Sequence, residues 1–168
     1  EFALGYPQRV ERLVLSCTSS GGEGGASYPL HELAHLSAQD WARRVVELSD
    51  MRHDAAWQAA HQQEFQALID EMLAIRTVAA DEPDKVVGAR RQIEARQGHN
   101  TYDRLPQLNM PVLICGGRYD EVAPVENQEA LLRQISSAQM ALFEGGHLFF
   151  TQDPRAFEEI IAFLKEGN

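Results

Sequence analysis

The sequence is short of basic residues, and it has no long apolar run. Its 168 residues include 15 Lys and Arg against 25 Asp and Glu, which gives a formal net charge of −10. A chain with scattered basic side chains and an acidic excess lacks the surface that neutralises phosphates, which excludes nucleic acid as a partner. No stretch approaches the roughly 20 apolar residues of a membrane span, and no signal-peptide pattern opens the chain. We therefore predict no membrane partner and a cytoplasmic location.

Cysteine is also scarce. The chain has 2 cysteines, Cys17 and Cys115, and each lies at the end of a short apolar run. Cysteines in such positions are typical of buried, reduced thiols. The sequence therefore favours neither a disulfide nor a metal-binding pair, and it gives no reason to assign a metal ligand.

The apolar content that is present suffices for a core, since hydrophobic residues make up 44% of the chain. After residue 110, strand-like and helix-like segments alternate, which predicts an α/β fold with a parallel sheet and flanking helices. A proline can occupy the first position of a strand or a helix, as Pro111 and Pro154 are predicted to do. The predicted strands are 12–17, 111–117 and 138–144, and the predicted closing helices are 125–135 and the segment that Asp153 caps.

Between the first two predicted strands lies a helical insertion that is far longer than an ordinary connection. Helix-capping and apolar-periodicity signals predict one helix from Ser37 to Ser49 and a long one that begins at Asp54 and runs through Arg76. Pro83 begins a third, which ends near Gly98. We predict two domains, a core formed by 1–27 and 104–168 and a helical cap or lid formed by 28–103.

Two chemically capable residues follow neighbouring strands. Asp120 comes just after the strand 111–117, and His147 follows Gly145-Gly146 after the strand 138–144. Because parallel strands present their carboxyl ends at one edge, loops there converge on the usual ligand crevice. A carboxylate that accepts the Nδ1 proton of a histidine fixes its tautomer, and the histidine then acts as a general base. Considered alone, Asp120 could equally be a turn residue or a helix-capping residue. Considered alone, His147 could equally be an ordinary loop histidine.

The resemblance to a known family rests on both ends of the chain. EFALGYPQRVERLVLSC at 1–17 resembles the stretch after the nucleophile of α/β-hydrolases, and 104–168 resembles the ending of that family. RLPQLNMPVLICGGRYDEVAP and FEGGHLFFTQDPRAFEEIIAFL carry this second likeness. The resemblance implies a partial α/β-hydrolase fold, with Asp120 as the triad acid and His147 as the base. It implies no cofactor.

No G-x-S-x-G turn for a nucleophile occurs in the chain. The resemblance implies that this residue lies upstream of Glu1, and whether it is Ser or Asp stays open. Likeness to enol-lactonase-like and esterase-like members favours Ser and a small ester-like substrate. Some relatives place the acid after the strand that RLVLSC resembles, where only Glu23 is available. We expect the chain alone to be inactive and to self-associate through an exposed sheet edge or element exchange.

Two other functions stay open. The first is a non-catalytic binding or scaffold module that retains the acid and the histidine. The second is a zinc hydrolase, because His31-Glu32-Leu33-Ala34-His35 matches H-E-x-x-H. Pro29 just before this motif, a helix start at Ser37 just after it, and the lack of a third-histidine extension favour a chance occurrence.

Overall fold

The computed structural model describes residues 1–78 and 81–166 and divides into two compact units. The first unit is Glu1–Tyr28 with Asn100–Asn168, and the second is Pro29–His99. The second unit lies within the segment 28–103 that we interpret as a cap, and its role as a cap stays a prediction.

Helices outnumber strands along the described part of the chain. The α-helices are α1 Phe2–Gly5, α2 Ala38–Ser49, α3 Ala55–Ala60, α4 Gln62–Thr77, α5 Lys85–Gln97, α6 Val125–Gln134, α7 Phe149–Gln152 and α8 Arg155–Lys165. The 3₁₀ segments are Pro7–Arg9, Gly22–Gly24, Leu30–His35 and Tyr102–Gln107. The strands are β1 Leu13–Ser16, β2 Val112–Gly117 and β3 Ala138–Phe143.

The first unit is built on a parallel sheet, as the alternation of strands and helices predicts. Its strands are ordered β1-β2-β3, with Leu13 paired to Val112 and Val112 paired to Ala138. Every residue of the central strand β2 is buried, which explains its uninterrupted apolar sequence. The parallel register brings the carboxyl ends of all three strands to one edge.

Side chains of β2 alternate between two apolar clusters. Val112 and Ile114 pack with Leu131 of α6 and with Ile135, the residue that directly follows this helix. On the other face, Leu113 and Cys115 pack in a second cluster, whose other buried members are Phe143, Phe149, Ala156 and Phe163. Helices therefore cover β2 from both sides, and the sheet is held as a rigid base for the loops at its edge.

The second unit is helical. Its core is formed where α2 packs on α4 through Ala42, Val46, Phe65 and Ile69. The side chain of Ser37 accepts a hydrogen bond from the Asp40 N–H at the start of α2, as the capping signal predicts. None of the helices in the described ranges combines the length and apolar character needed to cross a bilayer.

The long helix predicted from Asp54 through Arg76 is wrong, because the structure has two helices separated at His61. The backbone of His61 has φ −126° and ψ 45°, outside the helical region. Its N–H and its ring Nδ1 both donate to the Trp57 carbonyl oxygen, each at 2.9 Å. The ring also stacks on the indole of Trp57 at 4.8 Å, so the side chain of His61 is held against the end of α3.

Two helix starts differ by one or two residues from their predictions. The helix α5 begins at Lys85 rather than at the first turn occupied by Pro83. Pro154 is the N-cap of α8 rather than its first residue. Asp153 still accepts a hydrogen bond from the Arg155 N–H, so the carboxylate satisfies a free donor of the first turn as a capping residue does.

Candidate active site

Asp120 and His147 meet at the carboxyl edge of the sheet. The Nδ1 atom of His147 lies 2.9 Å from Oδ2 of Asp120. The Asp120 side chain is 0% exposed, and the His147 side chain is 32% exposed. The pair therefore has a buried acid and an imidazole that is open to solvent on one side.

The carboxylate of Asp120 is oriented by its own loop. Its Oδ1 atom accepts hydrogen bonds from the N–H groups of Val122 and Ala123, both at 2.8 Å. These two donors occupy one oxygen and leave Oδ2 for His147. Because an ionised carboxylate only accepts, the hydrogen bond to it requires the proton of His147 on Nδ1. The Nε2 atom of the neutral ring is then an acceptor, which is the form that a general base needs.

The two loops come close because glycines replace side chains where they meet. A Cβ atom on Gly117, the last residue of β2, would overlap the carbonyl oxygens of Gly145 and Gly146. Gly145 itself has φ +153°, a conformation that L side chains rarely adopt. The N–H of Tyr119 donates to the Gly145 carbonyl at 3.0 Å and joins the acid loop to the histidine loop.

The loop that carries His147 is also held from the other side, by Gln152, which sequence reasoning missed, and by Asp153, which it assigned only a helix-capping role. Gln152 accepts the N–H of Gly146 through Oε1 at 2.8 Å, and Asp153 accepts the N–H of Glu144 through Oδ2 at 2.9 Å. The hydrogen bond from the Arg155 guanidinium, followed by the one from the Glu144 N–H, holds the pKa of Asp153 well below its usual range. The sequence signal for this role was the presence of two polar residues just before the helix α8.

Cys17 is the third side chain at this edge, and sequence patterns predict only a packing role for it. It directly follows β1 and has φ +44°, the left-handed conformation that is uncommon outside glycine. Its thiol donates to the His147 carbonyl oxygen at 3.4 Å. Burial, with the nearby Asp120 carboxylate adding to it, raises the pKa of the Cys17 thiol to about 12. Cys17 is half-buried and free, whereas Cys115 is free and fully buried.

The alternative acid, Glu23, has a different environment. Glu23 is exposed on the 3₁₀ segment Gly22–Gly24, and its neighbours Gly22 and Gly25 have positive φ angles. Asp120, by contrast, is buried and bonded to an imidazole. The geometry favours Asp120 as the acid.

The H-E-x-x-H motif does not adopt the helix on which zinc proteases carry it. Residues Leu30–His35 form a 3₁₀ segment. With about 3.0 residues per turn, positions four apart point roughly 120° apart, whereas in an α-helix they lie on one face. The Nδ1 atom of His35 donates to the Glu32 carbonyl oxygen at 2.7 Å. His31 and His35 are therefore not presented together to one ion.

The chain is similar to known hydrolases over nearly its whole length. A poly(3-hydroxyalkanoate) depolymerase of Ectopseudomonas oleovorans is 27% identical, with 99% of this chain and 56% of the relative covered. The crystal structure of the enol-lactonase from Burkholderia xenovorans LB400 superposes with a TM-score of 0.69 at 20% identity, covering 98% of this chain and 60% of that one. No family model matches the sequence.

A further solved structure is MGS-M2, described as an alpha/beta hydrolase enzyme from a Medee basin deep-sea metagenome library. It superposes with a TM-score of 0.66 at 15% identity and covers 99% of this chain and 60% of that one. The fold is that of the α/β-hydrolases. The chain spans just over half the length of the curated relative. Asp120 and His147 thus lie at the strand-end edge of a partial α/β-hydrolase fold.

Proposed function

We propose that the chain supplies the general base and its orienting acid to a hydrolase that acts on a carboxylic ester or a lactone. The single observation that carries the proposal is the hydrogen bond between His147 Nδ1 and Asp120 Oδ2, in the loops after β3 and β2. The names of the relatives support the reaction class, since they describe a depolymerase and an enol-lactonase. The substrate is an ester-like small molecule, and no cofactor enters the chemistry.

In the proposed mechanism, Nε2 of His147 accepts the proton of a serine hydroxyl as its oxygen attacks the acyl carbonyl carbon. This serine belongs to polypeptide that precedes residue 1. The imidazolium that forms is stabilised by the buried Asp120 carboxylate, whose Oδ1 is already bonded to two backbone N–H groups. The imidazolium then protonates the leaving oxygen, and a water activated by the same Nε2 atom releases the acyl group.

We assign the second unit, Pro29–His99, the role of the helical cap of this hydrolase. Its helices α2 and α4 form an apolar core of their own. Ligand pockets of enzymes are lined predominantly by apolar side chains, which helical insertions of this type can supply. The cap role is a proposal about specificity and does not enter the chemistry of the pair.

The test compares the 168-residue chain with a longer polypeptide that includes the upstream reading frame, using p-nitrophenyl acetate as the substrate. We expect activity only in the longer protein. Asp120→Asn should lower kcat by about 10⁴-fold, the size of effect that the corresponding change has in a serine protease. His147→Ala should abolish the acyl transfer.

His35→Ala is the matched control, because it removes a histidine of the H-E-x-x-H motif and leaves the proposed pair intact. Full activity of His147→Ala would contradict the proposal. Loss of activity in His35→Ala with retention in His147→Ala would point to zinc hydrolysis instead. A start codon directly before residue 1, with no hydrolysis by any form, would favour the binding module.

A further inference from the structure

Three metal-ligating side chains converge at the carboxyl edge of the sheet. One ligand atom each from Cys17, Asp120 and His147 lies within 4.8 Å of the other two. These residues follow β1, β2 and β3 respectively, so each parallel strand delivers one of them. Thiolate, carboxylate and imidazole are together a donor set that suits Zn²⁺ and its softer analogue Cd²⁺.

We propose that this cluster binds one thiophilic divalent cation, Zn²⁺ or Cd²⁺, through Cys17 Sγ, Asp120 Oδ2 and His147 Nδ1. Metal–ligand bonds of about 2.0–2.3 Å in a tetrahedron separate neighbouring ligand atoms by roughly 3.3–3.8 Å. The spacing of 2.9 Å between Nδ1 and Oδ2 must widen slightly, and the farthest pair must close by about 1 Å. The proposal requires rotation of the Cys17 and His147 side chains, since Asp120 is held by two backbone N–H groups.

The charges balance at such a site. A thiolate and a carboxylate contribute two negative charges, and a neutral imidazole completes the set, so a divalent cation makes the cluster neutral. The two N–H groups that bond Oδ1 of Asp120 leave Oδ2 for the metal. The His147 side chain is 32% exposed, which gives water a path to the fourth position.

Binding changes the proton positions in a defined way. The Cys17 thiol loses its proton to the buffer as the S–metal bond forms. The proton on Nδ1 of His147 leaves as the N–metal bond forms, and Nε2 takes up a proton, so the ring stays neutral. One proton is released in total. This part rests on the proposed function: an Nε2 that carries a proton cannot accept one from a serine, so the cation would inhibit hydrolysis.

Cd²⁺ titration of the 168-residue protein tests the site without any activity. We expect one equivalent of Cd²⁺ to produce a thiolate-to-metal charge-transfer band in the ultraviolet, and excess Zn²⁺ to remove it by competition. Cys17→Ser and His147→Gln should each lose the band. Isothermal titration in buffers of different ionisation enthalpy should report one proton released per ion.

Two matched controls separate this cluster from the other thiol and from the H-E-x-x-H motif. Cys115→Ser and His31→Gln should keep the band. Circular dichroism melts show whether each variant is folded, and His147→Gln tests the site even if Cys17→Ser unfolds, because the His147 side chain is partly exposed.

The site is refuted if the unaltered protein gives no band, if a folded Cys17→Ser or His147→Gln protein keeps it, or if a folded Cys115→Ser or His31→Gln protein loses it. Inhibition is a separate measurement on the longer polypeptide. Cadmium binding without inhibition would leave the metal site standing and contradict the role given to Nε2.

Discussion

At the scale of single residues, the candidate site depends on a glycine whose lack of a side chain leaves room for the histidine loop. Gly117 ends β2 directly beneath the loop of His147, where a methyl group would overlap the carbonyl oxygens of Gly145 and Gly146. The clash involves backbone atoms, which cannot rotate away as a side chain would. The distance between Asp120 and His147 therefore depends on a glycine that takes no part in the chemistry.

Gly117→Ala should destabilise the protein by about 1–3 kcal/mol or more, the range for overpacking a tight site. It should also displace His147 from Asp120. The matched control is Gly88→Ala in α5, where nothing lies within 4 Å of the added Cβ. That change should stabilise the helix by about 0.5–1 kcal/mol.

Urea unfolding of the two variants measures both effects, and histidine NMR reports the Asp120–His147 hydrogen bond. Equal stability of the Gly117→Ala and Gly88→Ala proteins would contradict the steric argument. A retained His147 Nδ1–H signal in Gly117→Ala would contradict the effect on the site.

At the scale of elements, the pair is formed by the ends of strands and the starts of helices. The parallel register brings the ends of β2 and β3 together, and α7 and α8 then fix the histidine loop through Gln152 and Asp153. Asp153 joins β3 to α8, because it accepts the N–H of Glu144 and pairs with Arg155 at 2.7 Å.

Asp153→Asn should make the free energy of unfolding less dependent on pH in the acid range. The folded-state pKa of Asp153 is lowered, so its contribution to stability is complete above the unfolded pKa of about 4 and is lost as the pH falls below it. The difference in stability between the unaltered protein and Asp153→Asn should be largest at neutral pH and should shrink below about pH 4.

Denaturant unfolding at neutral and acid pH checks this, with Asp103→Asn as the control, since Asp103 is an exposed carboxylate of the same unit. A difference between the unaltered protein and Asp153→Asn that stays constant with pH would show that the carboxylate charge is unimportant there.

At the scale of the whole molecule, the first unit has a strand edge without a strand partner and a helix with exposed apolar side chains. β1 ends the strand order, and its outer edge has no strand partner among the described residues. On α8, apolar side chains three and four positions apart are exposed: Phe157 at 56%, Ile161 at 46% and Leu164 at 45%. Open strand edges and contiguous apolar rows are features through which chains associate.

We predict that the 168-residue protein self-associates in a concentration-dependent way, and that Ile161→Glu lowers the average mass. Val86→Glu is the control, because Val86 is a more exposed apolar residue on a different helix. Sedimentation velocity from low to high micromolar concentration measures both. A monomer at every concentration, or an effect of Val86→Glu that equals that of Ile161→Glu, would overturn this assignment.

The strands were predictable from local sequence, whereas one helix break was not. The strands at 12–17, 111–117 and 138–144 correspond to β1, β2 and β3, because short apolar runs between turn residues are a local signal. Only β2 is buried along its whole length, whereas β1, which we expected to be buried, is half-buried to exposed. The helix break at His61 was missed, because it is set by the backbone of one residue, with φ −126° and ψ 45°, inside a stretch of helical periodicity. Apolar periodicity carries no information about such a break.

The sequence by itself determined the three strands, the acidic character of the chain and the candidacy of Asp120 and His147. All of these follow from composition or from patterns within a few residues of one another. Only the tertiary structure brought Cys17 to His147, which lies 130 positions away, and placed Gln152 and Asp153 behind the histidine loop. Contacts of that kind depend on which strand pairs with which, and pairing is decided by the burial of whole strand faces in the folded protein.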